Sequence, residues 1–114
     1  MEKPLKNMHL NAEPFGRISN RTQSVEVRIN DEKRKALRIG DEIEFELRGN
    51  PERRFVAKVV ELLHFKTFKE LYESKPVGDF GGESVERLLE SIYKIYTTEE
   101  EEKFGVVGVK IELI

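Results

Sequence analysis

The sequence predicts an α+β fold: a small, mostly antiparallel β-barrel of five to six strands with two to four helices packed outside it. Three observations carry that expectation. Apolar and polar residues alternate over 24–29, 42–47 and 105–114, the period-two pattern of half-buried strands. From Val85 to Tyr96 apolar residues recur instead at helical spacing. Short glycine-containing turns join strands, which favours antiparallel neighbours with helices inserted between them.

Taken in order, Met8, Leu10 and their neighbours form a short first strand. Glu13-Pro14-Phe15 opens a helix with proline in its first turn, running to about Ser19. In the strand that follows, Val25, Val27 and Ile29 face one way and Ser24, Glu26 and Arg28 the other. Asp31 to Arg38 reads as a charged turn or loop. Gly40-Asp41 then turns into a strand with Ile43, Phe45 and Leu47 inward and Glu42, Glu44 and Glu46 outward.

Gly49-Asn50-Pro51 makes the next turn, and Arg54 to Phe65, apolar on both faces in places, reads as a long strand bending through the core. Thr67 and Glu70 form a capping box for a short helix to about Ser74, which Pro76 helps to end. After a glycine-containing loop over 77–82 comes the main helix, Val85 to Tyr96. Thr98 and Glu101 form a second capping box for a short, solvated acidic helix. Gly105 to Ile114 closes the chain as a strand with Val107, Val109, Ile111 and Leu113 on its inner face.

A chain of 114 residues suits one domain over 1–114 with a single core. The absence of cysteine excludes disulfides, thiolate metal sites and a thiol nucleophile, and fits a reducing compartment. The segment MEKPLKNMHL has no apolar signal core, and no apolar run approaches the roughly 20 residues needed to span a bilayer. A cytoplasmic monomer without a membrane partner is expected.

Net charge is only −2, yet residues 1–38 carry nine Lys/Arg against five Asp/Glu while residues 39–114 carry eleven against seventeen. A polyanion would approach the N-terminal third. His9 and His64 lie far apart with no ligand spacing, so no metal and no cofactor are expected. Gly78, Gly81 and Gly82 neither follow a strand nor have a lysine partner, so they do not read as a phosphate-binding loop.

The stretch Thr22-Gln23-Ser24-Val25-Glu26-Val27-Arg28, with Leu37-Arg38-Ile39-Gly40-Asp41-Glu42-Ile43-Glu44-Phe45 after a charged loop, resembles the ASCH domain family. Thr67-Phe68, Ile95-Tyr96 and Gly105-Val106 resemble its later landmarks, so the resemblance spans nearly the whole chain. It implies that the barrel is PUA-like. The family motif runs Gly-x-Lys-x-x-Glu-x-Arg; Glu26 and Arg28 match it, whereas Arg21 stands at the glycine and Gln23 at the lysine.

The resemblance implies binding of RNA or a modified nucleoside in a charged cleft beside the first helix and second strand, with Glu26, Arg28, Gln23, Arg21 and Arg17 as its residues. A subgroup resembles a small amidohydrolase that deacetylates N4-acetylcytidine through a Lys and a Thr on this strand and a Glu before the long helix. Gln23, Glu26 and roughly Gly81 occupy those positions here. Glutamine accepts no proton near neutral pH, so amidohydrolase or nuclease chemistry is the alternative reading. Its candidate catalytic residues are Gln23, Ser24 and Glu26, with Asp79 or Glu83 as distant carboxylates.

Two residues apart on a strand, Glu26 and Arg28 emerge on one face within ion-pair reach. They form either a recognition pair for a base or phosphate, or a solvated salt bridge worth about 0–1 kcal/mol. Arg17, Arg21, Lys33, Arg34, Lys35 and Arg38 are either a phosphate-contacting rim or solvated loop charges. Phe15, Tyr72 and Tyr96 are either stacking platforms or core. His9 lies near the first helix, and His64 belongs to the long strand.

Overall fold

The computed structural model describes residues 6–114. Its strands are β1 (Lys6–Leu10), β2 (Val25–Ile29), β3 (Glu42–Leu47), β4 (Asn50–Phe65) and β5 (Val106–Leu113). Its helices are α1 (Ala12–Ser19), α2 (Glu32–Lys35), α3 (Phe68–Glu73), α4 (Val85–Ile92) and α5 (Thr98–Phe104), with a 3-10 turn at Val77–Phe80. No described helix is long and apolar enough to cross a membrane.

The strands form one sheet in the order β1-β3-β4-β5-β2. This corrects the mostly antiparallel closed barrel expected from the sequence. Three pairings are antiparallel, but β1 runs parallel to β3, with Met8 opposite Phe45, so the sheet is mixed. It curls as a half-barrel, because the outer edges of β1 and β2 share no ladder. The strand count is five. The β1–β3 crossover carries α1, β2 and α2, enough chain to bring the third strand back parallel to the first.

The long strand β4 serves both halves of the sheet. Its first part pairs with β3 and its second with β5, and the ladder shifts register between Val59 and Glu61. That bulge bends the strand, as its two-faced apolar run suggests. Apolar side chains collect on both sides of the sheet. On one side Phe15 and Ile18 of α1 cover Ile43, Phe45, Val59, Val107 and Val109. On the other Phe68, Leu71, Tyr72 and Phe80 pack against Val25, Ile29 and Val106.

Several local expectations need adjustment. Asp31 to Arg38 is not all loop: the Asp31 carboxylate accepts from Arg34 N at 3.2 Å and caps the one-turn helix α2. Asn50 already pairs with Leu47, so β4 begins inside the expected turn and Arg48-Gly49 alone makes the reversal. The main helix stops at Ile92 rather than Tyr96. The second capping box lies one residue earlier than expected, at Thr97 and Glu100. With the extra helix α2, the described residues hold five α-helices rather than two to four.

Candidate functional site

The open seam between β1 and β2 becomes a cleft. Its larger lobe encloses about 700 Å³ between the start of α1, the N-terminal half of β2, the 3-10 turn and α4. A second lobe of about 300 Å³ runs on beneath Tyr96 toward His9 and Arg48. Glu26 and Val27 line both lobes, so β2 forms the common floor.

Glu26 lies directly opposite Val109 across the β2–β5 ladder, and opposed residues share a face. Its carboxyl therefore starts on the face of Val109 and, at the edge where the sheet stops, also meets Tyr72 and Phe80 in the cleft. Oε1 accepts from Val27 N at 3.0 Å. Among the described residues Oε2 is buried without a hydrogen-bond partner, and it pairs with Arg28 Nη2 at 3.7 Å. Burial raises the Glu26 pKa above the ordinary carboxylate value, and the opposing pull of Arg28, the Val27 amide, Arg17 and Arg34 does not overcome it. Beside it, burial first and the Glu26 charge second push the Tyr72 hydroxyl upward, which keeps it a protonated donor.

Arg28 is chiefly a staple. Its Nη2 donates to the backbone carbonyl of His9 at 2.8 Å, reaching from β2 to β1 across the seam that no ladder closes. The side chain is only 14 % exposed, so the pair is largely shielded from water rather than a solvated salt bridge. This departs from both sequence readings: Glu26 keeps an open acceptor, while its cation is committed to the fold.

Gln23 is likewise buried and committed. Its Nε2 donates to Val25 O at 2.9 Å and its Oε1 accepts from Arg17 Nε at 2.9 Å. Gly81, with φ +78°, faces this pair so closely that a Cβ there would stand 2.4 Å from Arg17 Nε and 2.6 Å from Gln23 Oε1. Gly81 brings no carboxylate to that point, as the sequence implies, and the space for one is filled. Ser24 does not join the cleft: with Arg21 it lines a separate hollow beside Ile111 and Glu112, while its backbone N–H is bonded to Asp79 O. Glu83 lines the large lobe, but the Asp79 side chain does not.

The expected basic rim is dispersed. Of its six residues only Arg17 lines the cleft. Lys33 and Arg34 flank an apolar hollow with Lys6, Met8 and Leu37, and Lys35 pairs with Glu32. Two cations that pattern alone did not single out take their place, Arg87 from α4 in the large lobe and Arg48 in the small one. Both sit in ordinary polar positions of a turn and a helix, so no local signal marks them. Among the proposed aromatic platforms, Phe15 is core, 5.0 Å from Phe55 between ring centres, whereas Tyr72 and Tyr96 border the cleft. His9 edges the small lobe and pairs with Glu46 at 3.1 Å, while His64 is an exposed β4 residue. Among the described residues no three His, Cys, Asp or Glu side chains cluster as metal ligands.

A profile of the ASCH domain matches residues 8–114. The chain belongs to the ASCH domain family. This ASCH domain is similar in structure to hypothetical protein PH0355, known from a crystal structure, with a TM-score of 0.85 and 28% identity over 97% of this chain and 100% of that one. It is also similar to protein PF0455 from Pyrococcus furiosus, solved by NMR in solution, with a TM-score of 0.75 and 26% identity over 97% and 98% of the two chains. No curated protein matches the sequence significantly. The half-barrel is thus a shared architecture.

Proposed function

We propose that this ASCH domain binds RNA or a modified nucleoside, holding a base in the cleft over Glu26. The observation that supports this most is the buried Glu26 Oε2, which has no hydrogen-bond donor among the described residues and belongs to a residue lining a cleft large enough for a nucleoside. A carboxylate there accepts from an exocyclic amino group, the pairing by which Glu and Asp recognise cytosine N4. Tyr72 and Tyr96 border the same space, and Arg48 and Arg87 supply cations for phosphate contacts.

Binding is favoured over hydrolysis because amide cleavage needs a nucleophile, a base and an oxyanion donor in mutual reach. Gln23 is locked between Arg17 and Val25, Ser24 faces another hollow, and Gly81 brings no carboxylate. An NMR titration with a short mixed-sequence RNA and with N4-acetylcytidine, followed for product in the same tubes, tests the reading. Saturable shifts at Glu26, Val27 and Tyr72 without turnover are expected. Turnover abolished by Ser24→Ala would establish the hydrolase instead, and no shift with either ligand would refute binding.

A further inference from the structure

We infer that Arg17 is a preset phosphate fork, so that the ligand of this cleft is a phosphorylated nucleoside, as a nucleotide or within RNA, rather than a neutral nucleoside. The inference rests on the base-binding reading of Glu26 and adds a second point of recognition to it.

Three features build the fork. Arg17 Nε is fixed at 2.9 Å on Gln23 Oε1, and Gln23 is itself fixed on Val25 O, so the guanidinium plane is held by β2. The main chain wraps the same residue: the Arg17 carbonyl accepts from Thr22 N at 2.8 Å, from Gln23 N at 3.2 Å and from Thr22 Oγ1 at 3.2 Å. Gly81 presses on the pair from the opposite wall, at a distance that no side chain at that position would permit. An arginine immobilised through Nε keeps both terminal nitrogens of its planar fork for one bidentate partner, and two oxygens of a phosphate form such a partner.

What those nitrogens now meet is weak. Among the described residues their ion pair is with Glu13 at 4.0 Å, and that carboxylate is 89 % exposed and therefore easily displaced. Arg17 lines the large lobe together with Glu26 and Arg87. A base that gives its amino group to Glu26 thus has two cations in the same lobe for its phosphate. Gln23 in this arrangement is a positioning residue that aims the arginine.

Calorimetric titration of the full chain with cytidine, adenosine, their 5′-monophosphates and an RNA hexamer tests the inference. The monophosphates are expected to bind about tenfold to a hundredfold tighter than the nucleosides, the range of one charge-assisted contact. Arg17→Met should remove most of that difference, and Arg17→Lys should restore only part of it. Gly81→Ala, which drives Arg17 and Gln23 apart, should repeat the Arg17→Met result. A further gain for the hexamer would identify RNA as the source of the phosphate, and equal affinity would identify the free nucleotide. Equal binding of nucleoside and monophosphate, or a difference that survives Arg17→Met, would overturn the fork while leaving base binding intact. Failure of every compound to bind would overturn both.

Discussion

Two of the buried carboxylates, Glu101 and Glu26, are treated differently. Glu101 of α5 is fully used: one oxygen accepts from Phe68 N at 2.8 Å, capping α3, and the Tyr93 hydroxyl donates to both oxygens at 2.8 and 2.9 Å. Burial and this bond push the Tyr93 pKa up to about 12, so the hydroxyl stays a donor. Glu26 of β2 has one backbone donor, one cation at 3.7 Å and a bare oxygen. A buried polar atom without a partner costs about 1–3 kcal/mol, a burden that Glu101 avoids and Glu26 carries. The first carboxylate knits helices together; the second is left open at a cleft.

Breaking the satisfied site should cost the most. Glu101→Ala strips the cap from Phe68 N and orphans the Tyr93 hydroxyl, and should lower unfolding free energy by about 2–4 kcal/mol in a denaturant titration. Arg28→Ala unfastens β2 from β1 and leaves Glu26 without its nearest cation, for a loss of about 2 kcal/mol. That loss should be greater at pH 8 than at pH 5, because only the ionised Glu26 needs the cation. A binding defect in this variant would therefore report the seam before it reported the ligand.

At Glu26 itself the sign reverses. Its folded pKa lies above the ordinary 4.5, so the folded chain holds this proton more tightly than the unfolded chain does. The stabilising contribution is complete below about pH 4.5 and is lost as pH rises through the folded value. Glu26→Gln removes that slope. The smallest effect belongs to Arg21, whose φ of +68° is a conformation glycine adopts freely. Arg21→Gly should gain about 0.5 kcal/mol by denaturation, the relief of strain being partly offset by the freer unfolded chain.

The alternation of β2, β3 and β5 and the cap at Thr67 were legible because they are local: the pattern of neighbours along the chain states them. The acidic helix shows where locality ends. Thr97-Thr98 followed by four glutamates admits a capping box in either of two registers. The earlier register leaves Glu101 to accept from Phe68 N, thirty-three residues away. The parallel β1–β3 pairing and the open seam likewise depend on distant partners that period-two patterns do not name.

The candidate site divides in the same way. Glu26 and Arg28 were visible as a pair on one strand face, but not their unequal fates, since the His9 carbonyl that occupies Arg28 comes from another strand. Gln23 was visible as a lost lysine. Its bond to Arg17 and the bare backbone of Gly81 against it required three segments to meet. Arg48 and Arg87 carried no local mark at all.

The most direct test is to measure Glu26→Gln twice, by chemical denaturation at pH 8 and by affinity for a short RNA or a nucleoside monophosphate. A carboxylate kept open for a ligand predicts a variant about 1 kcal/mol more stable and at least about tenfold weaker in binding. A variant less stable than the native chain with its affinity intact would contradict the account, making Glu26 a structural partner of Arg28 and nothing more.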